Sequence, residues 1–234
     1  MNVESLMSTV TSADEIRATA TAPRWRNTAI ALEVLFVYAG ILQYIWRWQF
    51  THPLVWAALW AVILLSHALH RDTLRTLGLA GAELRASAQL VLPLAVILFV
   101  PVLIYGFASH RLVLVVPNER VVLSFFGYGL WCVFQQYLAQ SYIHNRLRSV
   151  VANPHLSSLA VALMFGAAHI PNPVLMAATT AGGFLLAEVF ARHRNIWPLA
   201  LAQAVGGFLL ASVVPDATLH HMRVGPGYFF FGLR

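Results

Sequence analysis

Lysine is absent from these 234 residues, and all 15 basic side chains are arginine. Acidic residues number only nine, so the charged share is 10%, against about 25% in soluble domains. That deficit excludes an ordinary soluble domain. A formal charge of +6 invites a nucleic-acid reading. The arginines, however, stand at the edges of long apolar runs, where they orient helices and meet anionic headgroups. No nucleic-acid partner is expected. The single cysteine, Cys132, excludes an intrachain disulfide and a cysteine-rich metal site. It lies within an apolar run and reads as a small buried packing residue. There is no internal repeat. The first 25 or so residues lack the basic start, short apolar stretch and small-residue cleavage site of a signal peptide. They read as a polar cytoplasmic tail with a short interfacial helix.

What is abundant is apolar side chain, 59% of the chain. Seven runs approach the roughly 20 residues a helix needs to cross a bilayer. They cover residues 29–50, 53–69, 87–108, 120–145, 156–170, 173–191 and 196–214, separated by Pro, Asn and Arg punctuation. The expected fold is an all-α, multi-pass transmembrane helix bundle of about seven spans, eight at the upper count. The expected divisions are a polar tail over 1–28, the bundle over 29–214, and an interfacial or re-entrant tail over 215–234. The segment Arg71 to Arg85 reads as amphipathic and surface-lying. With the N-terminus inside, ten arginines are cytoplasmic and five are outside, which favours that orientation.

Polar side chains inside such runs are costly and mark sites. Gln135, Gln136 and Gln140 fall within six residues of one span. At 3.6 residues per turn, Gln136 and Gln140 share a helix face, with Gln135 about 100° away. Any one of them alone would read as a helix-to-helix hydrogen bonder. His169 ends a span one turn after Phe165, before Pro171-Asn172-Pro173. Gln203 lies in the last span after Trp197-Pro198, a helix start with Pro in the first turn. Gly206 and Gly207 follow it and allow close helix approach. Glu33 and Glu188 are the carboxylates well inside apolar runs. Glu188 reads as an i,i+4 pair with Arg192, and Glu33, near Arg26, as reaching the headgroups. His220-His221 is a weak metal-like pair, because adjacent residues do not share a helix face.

These residues resemble the CPBP family of intramembrane proteases, also called the Abi or type II CAAX-protease family. Its pattern is E-E-x-x-x-R on one membrane helix, F-x-x-x-H on the next and H-x-x-x-N on a later one. The resemblance covers about residues 120–214. Gln135 to His169 and His169 to Gln203 are each 34 residues apart. The texture Phe165-Gly-Ala-Ala-His169-Ile-Pro-Asn-Pro173 also fits. Residue by residue, Gln135 and Gln136 stand at the two glutamates and Gln140 at the arginine. Phe165 and His169 match. Gln203 stands at the second histidine and Gly207 at the asparagine. The resemblance implies hydrolysis of prenylated or membrane peptides by a glutamate and histidines.

The replacements argue against that chemistry. An amide cannot take a proton at ordinary pH, and losing a general base costs about 10²–10⁴ in rate. One imidazole among amides is a poor metal ligand set, so neither metal nor cofactor is expected. None of the altered motif positions 135, 136, 140 and 203 became Leu or Ala, although buried amides need partners. The expectation is an integral protein of a bacterial inner membrane, N-terminus cytoplasmic. It carries a neutral pocket with His169, Gln135 and Gln136 at the degenerate catalytic positions. Gln140, Phe165, Gln203 and Gly207 are its ligand-binding residues, for a lipid-like, isoprenoid or peptide ligand. Three alternatives stand beside it: a membrane enzyme with His169 as acid and base, an active protease with a relocated carboxylate such as Glu33 or Glu188, and a structural subunit with a membrane-protein partner.

Overall fold

The structure, a computed structural model, describes residues 24–112 and 118–230. The expected interfacial helix in the first 25 residues falls almost wholly outside them. Seven apolar helices follow one another: α1 Arg24–Thr51, α2 Val55–His70, α3 Leu84–Ala108, α4 Glu119–Arg148, α5 Pro154–Ala167, α6 Pro173–Arg192 and α7 Ile196–Val213. Among the described residues there is no strand. This is an all-α, multi-pass membrane protein. Among the described residues, five helices are long and apolar enough to cross a bilayer; α2 and α5 are shorter. At about 1.5 Å per residue, the 14 residues of α5 reach only about two-thirds of a 30 Å hydrocarbon layer.

Asparagine starts four of the helices. Asn118 accepts from the Val121 N–H, Asn153 from His155 and Leu156, Asn172 from Leu175, and Asn195 from Trp197. Pro154 and Pro173 sit at the first helical positions, where a missing N–H costs nothing. The Asn-Pro pairs that punctuate the sequence are therefore helix starts as well as breaks.

Helices α5 and α6 lie along each other, α7 packs on α3 and α4, and α1 meets α2 and the end of α4. The α5–α6 approach needs Gly166: a Cβ there would stand 1.9 Å from Thr180 Oγ1. One apolar cluster joins Val34, Val37, Ile63, Tyr142 and Val161; another joins Val91, Phe190, Ile196 and Leu199. Outward faces are equally apolar, as Leu92 (68% exposed), Phe107 (78%) and Phe126 (69%) show. A surface of that kind suits lipid rather than water.

The segment between α2 and α3 departs from expectation. It is a string of turns, not an amphipathic helix. A reciprocal Thr73–Thr76 hydrogen-bonded turn competes with helix formation. Its carbonyls are then claimed by the bundle. Asn145 donates to Thr76, Ser141 to Leu77, the Ile196 N–H to Gly78, and Asn195 to Ala80 and Ala82. The C-terminal tail also folds back. Asn172 donates to the Leu219 and Arg223 carbonyls, and the Gly225 N–H donates to Ile170. The short helix α8, Asp216–Leu219, begins this return, and α9, Pro226–Phe229, follows it.

Candidate functional site

Helix α4 carries Gln135 and Gln136 at the end of its regular α-helical part. From Tyr137 to His144 it widens into a π-helix. Such stretches occur often at functional sites and change which side chains share a face. Here Gln136 and Gln140 separate. Gln136 turns to α7, where its Nε2 donates to Gln203 Oε1 at 2.7 Å. Gln203 Nε2 in turn donates to Gln135 Oε1 at 2.5 Å. Three amides thus form one chain across α4 and α7. Gln136 is wholly buried, and its Oε1 has no partner.

Gln140 goes elsewhere, which corrects the shared-face expectation. Its Oε1 accepts from His144 Nδ1 at 3.0 Å, and His144 Nε2 lies 3.4 Å from Ser157 Oγ on α5. The extra residue per turn of the π-helix carries Gln140 off the Gln136 face and into this buried cluster.

A cavity of about 830 Å³ lies beside the amide chain. Gln135, Gln203, His169, Phe165 and Gly207 line it; Gln136 and Gln140 do not. The His169 ring stands edge-on to Phe165, 5.1 Å between centroids. Its Nδ1 lies 2.7 Å from the Phe165 carbonyl. A carbonyl only accepts, so Nδ1 carries the proton and Nε2 is the acceptor nitrogen of the neutral ring. Gly207 is required by the cavity wall: a Cβ there would lie 2.2 Å from the Tyr128 hydroxyl. Tyr38, Trp56, Trp60 and Trp131 supply aromatic lining, and Met222 and Val224 of the folded-back tail close part of the wall. Among the described residues, no Asp, Glu or Arg lines the cavity.

The carboxylates are committed elsewhere. Glu188 pairs with His155 at 3.0 Å and, as expected, with Arg192, at 3.8 Å. Glu33 does not run to Arg26 and the headgroups. Its Oε1 accepts from Ser66 at 2.5 Å and Tyr142 at 3.0 Å and lies 3.4 Å from Arg146 Nε, while Oε2 lies 3.3 Å from His70. Arg146, expected at the cytoplasmic edge, is 3% exposed. Its Nη2 donates to Asp72 Oδ2 at 2.6 Å. His67 Nδ1 meets the same Asp72 oxygen at 2.7 Å. Burial alone would raise the Asp72 carboxyl; the hydrogen bonds from His67 and Arg146 and the guanidinium charge outweigh it and hold it at about 2. This cluster joins α1, α2 and α4, and sequence reasoning missed it. The available signal was Glu33 itself, a carboxylate inside a span that needs a buried cation.

The fold and this cavity define a class: a multi-pass helical membrane protein with a polar site inside an apolar bundle. The Rce1-like family model, described as type II CAAX prenyl endopeptidase Rce1-like, matches residues 117–209. That segment runs from α4 into α7, holds the whole amide chain, and agrees with the resemblance carried by the motifs. No curated protein and no solved structure matches the chain.

Proposed function

We propose that this is an atypical CAAX-protease-like membrane protein that does not cleave peptides by the family mechanism and that binds a lipid-like ligand, an isoprenoid or a lipidated peptide, in the Gln/His cavity. One observation carries the reading. The positions that would hold the family's base and its partners form a neutral chain, Gln136–Gln203–Gln135, beside a cavity whose described wall holds no carboxylate. Hydrolysis needs a group that takes a proton from water; amides cannot, and Glu33 and Glu188 face Arg146 and Arg192, outside the cavity wall. Size and lining support a ligand site, since about 830 Å³ of apolar wall with a few convergent polar groups is typical of small-molecule pockets. We propose a bacterial inner membrane as its location, with the N-terminus cytoplasmic on the arginine asymmetry.

His169 supports a second reading, a non-proteolytic enzyme on a membrane-soluble substrate. Its Nε2 is an available base in the cavity wall. The two readings separate in one experiment. Purified chain in lipid nanodiscs is incubated with a prenylated peptide and, separately, with a membrane lipid extract, then both are followed by mass spectrometry. The binding reading expects intact peptide and a retained lipid that Gln203→Leu releases. Peptide cleavage by the native chain would refute it, and a modified lipid that His169→Ala leaves unmodified would promote the enzyme.

A further inference from the structure

The charge of the cavity restricts the head of its ligand. Although the wall is drawn from α1 to α7 and the tail, it contains no Asp, Glu or Arg among the described residues. Every described arginine lies outside it, and Arg146, the buried one, is held by Asp72 and Glu33. Its polar groups include the Gln135 and Gln203 amides, the Tyr128 hydroxyl, Thr179, and His169 with its proton on Nδ1; Tyr38, Tyr44 and Gln49 also line it, each already donating to a backbone carbonyl. Thr179 already donates to the Leu175 carbonyl at 2.6 Å. Gln203 is bonded at both ends of its amide. Gln135 accepts from Gln203 through Oε1, which leaves its NH₂ as a donor in the wall. His169 Nε2 adds an acceptor.

From these groups we infer that the cavity selects a long-chain or isoprenoid lipid whose head is an uncharged oxygen function, a hydroxyl or an ester carbonyl, and rejects the same chain ending in a phosphate or carboxylate. This rests on the lipid-pocket reading and adds the head-group class. A hydroxyl can accept from the Gln135 NH₂ or donate to His169 Nε2; an ester carbonyl can do only the first. An anionic head would leave water for a wall with no cation to meet it, a penalty that buried amides offset only in part. The distinction matters because a prenyl chain carrying a phosphate, or a prenylated peptide ending in a free carboxylate, brings a charge that this wall does not answer.

Trp56, Trp60 and Trp131 in the wall supply the readout. Full-length protein in nanodiscs of zwitterionic lipid is titrated at pH 8 with farnesol, farnesyl acetate and farnesyl monophosphate, and tryptophan quenching is followed. The expected result is saturable quenching by the alcohol and the ester, with the phosphate weaker by about 100-fold or more. Gln135→Leu weakens the alcohol about 10-fold and leaves the phosphate unchanged. Ala178→Phe tests location: Ala178 lines the cavity and is exposed, so a larger side chain fills space without displacing a packed neighbour. It should abolish quenching. Phosphate binding as tight as the alcohol would overturn the head-group inference and leave the lipid pocket standing. Quenching by none of the three, or quenching indifferent to Ala178→Phe, would remove the pocket reading as well.

Discussion

Replacing Arg146 by Met keeps most of the aliphatic stem and removes the guanidinium from between Asp72 and Glu33. Both carboxylates have little access to water, with side chains 13% and 24% exposed. Breaking a buried pair from one side costs about 3–5 kcal/mol, because the remaining charge is left uncompensated. Asp72 gives a separate handle on the size. Its carboxyl is lowered from its ordinary 3.8 to about 2 in the folded chain, which corresponds to about 2–3 kcal/mol of stability. The sign follows from the direction. A depressed carboxyl stabilises above its unfolded value and loses that contribution as pH falls towards the folded one. Native protein should therefore lose stability between about pH 4 and 2, and Arg146→Met, whose Asp72 returns towards the ordinary range, should lose less there. The two chains should differ by about 3 kcal/mol at pH 7 and converge in acid. His67 and His70 stay in contact with Asp72 and Glu33 in the variant, as hydrogen-bond partners that soften the loss. Arg146→Lys should recover only part of the loss, since one ammonium cannot reach both carboxylates as a fork does. Unfolding in mixed micelles, followed by near-ultraviolet circular dichroism across pH, measures all three. A difference under about 0.5 kcal/mol at pH 7, the scale of an ordinary surface substitution, would refute the buried-network argument.

Other outcomes follow from the same geometry. Gln203→Leu leaves the Gln136 donor and the Gln135 acceptor without their partner and should destabilise by about 1–3 kcal/mol; the double variant with Gln136→Leu should cost less than the sum, and strict additivity would deny the amide chain. Gly166→Ala forces Thr180 aside and should cost about 1–3 kcal/mol, a loss that Thr180→Ala partly relieves; thermal unfolding of the pair decides. Gln136→Glu alone should not confer cleavage of a prenylated peptide, because a lone buried carboxyl favours its neutral form and Gln203 supplies no imidazole; cleavage by that single variant would contradict the reading. Metal analysis of purified protein should find no stoichiometric zinc that His169→Ala removes.

Much of this protein follows from residue order alone. Apolar runs near 20 residues can satisfy their backbone in lipid only as helices, so their number and order fall out of length and composition. The Asn-Pro breaks likewise announce helix starts, because Asn caps and Pro tolerates the first turn. Amides at 135, 136 and 203 carry a legible cost inside those runs. A cost names a residue that needs a partner; it does not name the partner. Gln136 finds Gln203, 67 residues on, and Glu33 finds Arg146, 113 residues on, because α4 crosses α7 and returns beside α1. Periodicity also assumes one helical pitch. The π-helical turns from Tyr137 to His144 break that assumption and send Gln140 to His144 instead of the cavity. Arg146 shows the same limit: its place at the end of an apolar run reads as an edge, and only the turns from Asp72 onward, folded against α4, enclose it. Local rules set which segments are helices and which side chains are expensive; the crossing of distant helices set which charges met and which wall was left without any.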